Sequence, residues 1–418
     1  MSTLSATSLW RDRRFRTFWS AQGVSEFGDR ITELALPLIA VTMLNASPSQ
    51  VGFLTAAVWA PNLASLFIGT WVDHRRDKRP LMIAADLART ILLLSLPVAY
   101  WLDLLTLGQL YAIAILTGIA GVVFGTAYAS FFVRLVGRDQ FLEANSKLSA
   151  TRSISFMGGP AIGGLLMQWL TAPVAILVDA LSFVFSAFRI SRLDVTPGEA
   201  DETAEPLLTR ARAGMRYLLK HPYLRRSLAC STTVNFFNLM GTALLVLFAS
   251  RDLGLSAGTI GLAFGIGSSG GLLGAVAAAP LSRIFGAGRL IAGGAVVFPG
   301  AMAFVLLAQG PEWVRAAALA AGMFVATFAV MCYDIPNNSM QAAVTHDYMR
   351  SRVSGAYSSI NYGIRPLGAV VGGLLGTWIG VRETLLVSAA GGLLAVLWLI
   401  GSPNLRTHRL DGLEPPEF

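Results

Sequence analysis

Charge is what this sequence has least of. Asp, Glu, Lys and Arg make up 13% of its 418 residues, against about 25% in an ordinary soluble domain. Hydrophobic residues supply 54%, and the mean hydropathy is +0.60. The shortage excludes a soluble globular chain and points to a polytopic membrane protein. Cysteine is almost missing: Cys230 and Cys332 lie at or within hydrophobic segments and give neither a disulfide framework nor metal-ligand spacing. The four histidines, His74, His221, His346 and His408, fall between the hydrophobic segments without ligand spacing, so no metal is expected. No P-loop glycine run is present, which excludes ATP hydrolysis by the chain itself. No nucleophile stands with a base in a recognisable constellation, so no catalytic residue, cofactor or enzymatic activity is expected. No cleavable leader is expected either: the N-terminus is basic, but the stretch behind it is a full span without a small-residue cleavage site.

What is present is a succession of hydrophobic stretches, each able to cross a bilayer as a helix of about 20 residues. Twelve are expected, at 16–44, 49–71, 80–101, 108–133, 150–168, 173–189, 227–249, 258–280, 289–307, 313–333, 354–378 and 383–401, with Pro, Gly or Asn at many ends. Of the 32 Lys and Arg residues, 26 fall before the first span, after the last and in alternate loops. Only Arg251, Arg315 and Arg382 fall on the opposite side, and Arg30, Arg89 and Arg365 lie within spans. The positive-inside rule then puts both termini in the cytoplasm of a multi-pass cell-membrane protein. The net charge of +8 reflects topology, not nucleic-acid binding. The expected division is an N-terminal six-helix half (1–189), a cytoplasmic linker (190–222) and a C-terminal six-helix half (223–418). The linker opens acidic (196–206) and continues as an amphipathic helix. There Leu208, Ala211, Met215 and Leu218 share one face, and Arg212, Arg216 and Lys220 another. Such a helix suits either an anionic leaflet or packing on the bundle.

The first span, Phe15 to Leu44, carries Glu26, Asp29, Arg30 and Glu33 on one helical face. A charge at membrane depth costs at least roughly 2.5–3.5 kcal/mol, so this stripe faces water, a partner charge or a cargo. Arg30 can bridge to Glu26 or Glu33, which alone would only hold the helix. Three acids against one base leave carboxylate over. Asp29, Glu26, Glu33 and Arg30, with Asp179 of the sixth span, are therefore the candidates for proton coupling. Asp29 comes first, as the acid that Arg30 is expected not to reach. The two halves repeat at an offset of 209 residues: Gly52 falls on Gly261, Gly163 to Leu166 on Gly372 to Leu375, and Phe27 on Phe236. Parallel six-span repeats holding cargo between them are a transporter architecture. The repeat partners of Glu26, Asp29, Arg30 and Glu33 are the neutral Asn235, Asn238, Leu239 and Thr242, and that of Asp179 is Ser388. Proton chemistry is thus expected in the first half. Phe27, Trp59, Asn235, Phe236, Asn238, Tyr362 and Arg365 are the candidates for lining a cargo cavity. Asp86 and Arg89, three apart in the third span, are expected to pair, and Asp334 reads as a helix-end residue near Pro336.

The stretch Gly69-Thr70-Trp71-Val72-Asp73-His74-Arg75, followed by Arg76, Lys78 and Arg79, resembles the cytoplasmic signature of the major facilitator superfamily: a glycine, an aspartate four later, then a basic run. The glycine would let two helices approach, and the aspartate would cap a neighbouring helix N-terminus. The resemblance makes Gly69, Asp73, Arg75 and Arg76 the expected gate. Gly159-Pro160-Ala161-Ile162-Gly163-Gly164 is similar to the antiporter signature of the exporter branch. FRTFWSAQGVSEFGD (15–29), ADLAR (85–89) and GMRYLLKHPYLR (214–225) resemble the macrolide-efflux and enterobactin-exporter branch. The resemblance spans the chain and implies the all-α major facilitator fold of twelve transmembrane helices. It also implies a secondary transporter exporting small amphipathic or cationic compounds in exchange for protons, by alternating access. An exporter of a siderophore or lipid-like metabolite is the alternative, and a non-transporting membrane sensor the alternative from another class. The expected partners are a small-molecule cargo, protons and membrane lipid, for a chain acting as a monomer. One departure stands out. The fourth span lacks the embedded arginine that many drug exporters use for coupling, and Arg134 lies at its cytoplasmic end; Arg89 or Arg30 would serve instead.

Overall fold

The computed structural model describes residues 9–137, 140–195, 207–408 and 413; the acidic linker stretch 196–206 lies outside them. All regular structure among these residues is helical. Helix α1 (Arg13–Leu38) starts at Asp12, whose carboxylate accepts from Arg14 N at 2.7 Å, and runs on into a π-turn at Ile39–Met43. Helix α2 (Pro48–Trp59) opens with a capping box between Ser47 and Gln50. The stretch 49–71, read from sequence as one span, is broken before α3 (Ser65–Asp73). Pro61 has no N–H to continue the ladder, so the chain passes through a 3-10 turn at Ala60–Ala64 and bends by 49°. Asn62 Nδ2 donates to the Trp59 carbonyl at 3.1 Å, and the Pro61 ring seats on Gly118.

Helices α4 (Arg79–Trp101), α5 (Leu107–Leu135), α6 (Phe141–Leu170) and α7 (Ala172–Ser191) follow, then α8 (Leu207–Lys220). The second half holds α9 (Pro222–Arg251), α10 (Ala257–Phe285), α11 (Ala287–Gly300), α12 (Met302–Leu306), α13 (Glu312–Ala343), α14 (Arg350–Trp378), α15 (Val381–Leu393) and α16 (Pro403–Arg406). Helix α13 runs through Pro336, so Asp334 lies inside it, not at its end as the sequence suggests. Among the described residues, eight stretches are helical, long and apolar enough to cross a membrane, and the bent α2–α3 pair makes a ninth. Helices α1, α6 and α14 match them in length, at 26, 30 and 29 residues, and of the three α1 carries the most charge. Two of these three, α6 and α14, meet the opposite half directly, and α1 bears the acid stripe.

The two ends of the bundle differ. At one end the basic loops gather: Leu9 N donates to Glu143 at 3.4 Å, Arg79 to the Ser191 carbonyl, and Asn404 to the Tyr223 carbonyl at 3.1 Å. At the far end stand the three exceptional arginines, and each donates to a backbone carbonyl: Arg251 to Val41 (3.2 Å), Arg315 to Leu253 (2.5 Å) and Arg382 to Leu306 (2.6 Å). They satisfy carbonyls left over where helices end. One hydrophobic core joins both halves at the far end, running from Leu38 and Ile39 to Leu245, Phe248, Leu319 and Leu385. Toward the basic end it divides into a cluster around Phe15, Phe18 and Phe131 and separate ones around Tyr357 and Tyr333. The halves are closed together at the far end and parted at the basic end.

Two glycine pairs make the far-end closure. A Cβ on Gly52 (α2) would meet Gly373 Cα (α14) at 2.6 Å, and one on Gly164 (α6) would meet Gly261 Cα (α10) at 2.7 Å. No side chain fits at either seam. The four glycines are those the 209-residue repeat relates, 52 to 261 and 164 to 373. The α2–α14 and α6–α10 seams are therefore pseudo-symmetric copies of each other.

Candidate functional site

The face of α1 bearing Phe27 and Ile31 packs on α6, where Gly158, Gly159 and Gly163 leave room for it, and Gly28 packs on α7 against Asp179 and Ser182. Glu26, Asp29, Arg30 and Glu33 follow on the adjoining face, with Arg30 at its α6 edge against Gly159. Arg30 forks between two of the acids: Nη2 reaches Glu26 at 2.8 Å and Nη1 reaches Glu33 at 2.7 Å. Its guanidinium also lies over the Phe156 ring, 5.1 Å from the centroid. Arg152 of α6 approaches Glu26 at 3.9 Å. Asp29 takes part in none of these pairs.

Asp29 instead turns toward α4 and α7. Arg89 and Asp179 act on it or respond to it electrostatically, and so does Asp86. Asp179 is buried, with Thr32 and Ser182 hydroxyls donating to it, the latter at 3.2 Å. Asp86 is fully buried, and among the described residues neither of its carboxylate oxygens has a hydrogen-bond partner; Ser186 of α7 faces it. The expected Asp86–Arg89 pair is not formed. Asp86 turns to α7, whereas Arg89 lies on the bare backbone of Gly121 in α5 and over the rings of Phe183 (4.7 Å) and Phe124 (5.9 Å). Three carboxylates from α1, α4 and α7 thus share the field of Arg89, with no contact ion pair among the described residues.

The second half offers a counterpart centred on an arginine. Arg365 Nε donates to Asn235 at 2.9 Å, and its guanidinium covers Tyr362 (4.6 Å) and, across the gap, Trp59 of the first half (4.4 Å). The two rings are nearly parallel, 6.2 Å apart. The acid that faces Arg365 is Asp334, not the α1 stripe. Asn235 passes the bonding to Asn361 at 3.2 Å. Nearby, Tyr357 joins Ser231 (2.5 Å) and Ser227 (3.0 Å), Ser231 joins Tyr333 (2.6 Å), and Ser227 donates to Asn337 (2.7 Å). Sequence reasoning missed this buried hydroxyl and amide network; its signal was polar residues four apart on three helices, Ser227, Ser231 and Asn235 on α9, Tyr333 and Asn337 on α13, and Tyr357 and Asn361 on α14. Of the cavity candidates, the structure joins Trp59, Tyr362, Arg365 and Asn235. Phe27 packs on Gly158, and Phe236 lies edge-on to Phe237. Asn238 faces a separate cavity of about 180 Å³ with Thr242, Met302 and Ser388.

At the signature stretch, Gly69 has only Thr126 near, at 3.9 Å, so no close helix approach uses it here. The Asp73 carboxylate makes no hydrogen bond among the described residues. Arg75 lies over the Trp71 ring (5.3 Å), and the Arg76 carbonyl accepts from Arg134 at 3.5 Å. The end of α3 is held by Lys78, whose amine donates to the carbonyls of Val72 (2.6 Å) and Asp73 (3.1 Å). The second signature packs in two directions: Gly159 and Gly163 receive Arg30 and Ile31, while Gly164 and the Pro160 carbonyl meet Gly261.

A family model described as a transmembrane secretion effector matches residues 4–414. The chain is 26% identical over 398 residues to the multidrug efflux pump Tap of Mycolicibacterium fortuitum, covering 91% of this chain and 93% of that one. It is 25% identical over 405 residues to macrolide efflux protein A of Streptococcus pyogenes, covering 90% and 92%. Among solved structures, a bacterial homologue of the human lysosomal transporter Spinster, inward-facing and occupied, superposes with a TM-score of 0.75. That match has 13% identity and covers 99% of this chain and 100% of that chain, a likeness of fold.

Proposed function

Since the chain belongs to the transmembrane secretion effector family of major facilitator transporters, we propose that it exports small amphipathic or cationic compounds across the cell membrane in exchange for protons. The reading takes twelve spans in two six-helix halves, 1–189 and 223–418, joined by the linker 190–222, with both termini cytoplasmic. The closed far end is then external, and the parted basic end opens to the cytoplasm. Alternating access would exchange the two by rocking one half against the other over the glycine seams.

The observation that carries proton coupling is the division of roles on α1. Arg30 binds Glu26 and Glu33 and leaves Asp29 without an ion-pair partner among the described residues, in the field of Asp179 and Arg89. With Arg30 so engaged, Arg89 is the arginine available in place of one on the fourth span. Exchange requires cargo and proton to favour opposite charge states of one site, because a ligand shifts an equilibrium only by its differential affinity. A cationic cargo prefers ionised Asp29; a proton arriving from outside displaces it.

Everted vesicles test this. Asp29→Asn should abolish cargo accumulation driven by an imposed pH difference while leaving exchange of cargo down its own gradient. Glu26→Gln and Glu33→Gln should reduce it less. Accumulation by Asp29→Asn vesicles at the wild-type rate would remove Asp29 from the coupling step.

A further inference from the structure

Helix α8 is held against the bundle by its apolar face. Leu218 is fully buried, and Met215 packs into the cluster of Leu224, Val344 and Met349. Gly214 abuts the Arg352 carbonyl so closely that a Cβ would not fit. That face is therefore not free to enter a leaflet. The opposite face is free: Arg212, Arg216 and Lys220 stand exposed at successive i, i+4 positions, a row of about 12 Å at the helical rise. With Thr209, Ala213, Tyr217 and Met349 they line a groove of about 640 Å³. No acid lines it, and none of the three cations makes an ion pair or hydrogen bond among the described residues. Like charges at this spacing repel, and no described residue supplies the row with an anion. Beside it lie Leu219, 54% exposed, and Tyr348, 73% exposed.

We propose that this groove binds the phosphate of an anionic phospholipid headgroup, with Leu219 and Met349 against the glycerol and the first acyl carbons. A preformed basic groove at the cytoplasmic rim of a bundle suits a headgroup, and the apolar shoulder distinguishes a lipid from free phosphate. The proposal rests on the orientation proposed above but not on proton coupling.

The full-length protein in neutral detergent micelles, supplied with phosphatidylglycerol or phosphatidylcholine, tests it by native mass spectrometry. Wild type should retain phosphatidylglycerol over phosphatidylcholine. The triple variant R212Q/R216Q/K220Q should lose that preference, and each single neutralisation should weaken retention about fivefold. Arg→Lys at 212 and 216 together should preserve it, which separates charge from misfolding. Asp29→Asn protein should behave as wild type, so a failure of the transport reading leaves this result interpretable. Equal retention of the two lipids, or full retention by the triple variant, would overturn the site. Displacement of the lipid by inorganic phosphate at equal concentration would overturn the lipid assignment in favour of a free-anion site.

Discussion

At the scale of a residue, His221 has an environment with a measurable consequence. It is buried at the start of α9, where Nδ1 accepts from Leu224 N at 3.4 Å between the rings of Tyr217 and Tyr223. Burial pushes the imidazole down to about 4, His346 adds to that, and a bond with the Val344 backbone opposes it. Accepting a backbone N–H requires the neutral ring. The folded state therefore binds fewer protons than the unfolded one between about pH 4 and 6.5. The stability His221 contributes is complete above that range and is lost as pH falls through it, by at most about 1.4 kcal/mol per pH unit. The thermal midpoint in detergent should fall from pH 6.5 to 4.5, and more shallowly in His221→Asn, which keeps a capping acceptor. Equal slopes would exclude His221 as the source. Spacing made the Arg30 pairs legible in the sequence, because residues three and four apart on a helix are obliged to be neighbours. The same spacing misled at Asp86 and Arg89. There, packing against α5 and α7 decided, and no local rule contains those neighbours.

Among the elements, α6 does most to join the halves. It receives α1 at Gly159 and Gly163 and α10 at Gly164, all within two turns. Gly164→Ala places a methyl in the Gly261 backbone. Overpacking of this kind costs roughly 1–3 kcal/mol, and it falls only on the state with the far end closed. Spin labels at the exposed Leu104 and Leu307, one on each half, should move apart in this variant. An unchanged distance distribution would show that the seam does not set the conformational balance. The repeat made these glycines visible in the sequence, and Gly52 and Gly261 are matched by it. A repeat states which positions are equivalent, however, and not which faces meet, so the contacts themselves were illegible. The break in α2–α3 was foreseeable from Pro61, but a run of apolar residues on both sides concealed it.

For the whole molecule, the division of basic residues remains the argument for orientation. The three arginines at the far end make it stronger, since each is engaged with a carbonyl and none is a loose loop charge. Cysteines introduced at Leu104 or Gly310 should react with an impermeant maleimide in intact cells, and one at Tyr348 should not; the native Cys230 and Cys332 are buried. Labelling at Tyr348 would reverse the orientation. The all-helical fold was legible because hydropathy and loop charge are properties of whole segments. The conformation, closed at one end and parted at the other, was not, because both conformations use the same segments. The Arg30 fork has a further bearing, on how the chain is made. Both of its partners lie on its own helix, so the two pairs can form as soon as that helix does, while the rest of the chain is still in the ribosome. The segment then reaches the insertion machinery with one guanidinium already shared by two of its three carboxylates. Asp29 alone must wait for Arg89, which emerges sixty residues of translation later.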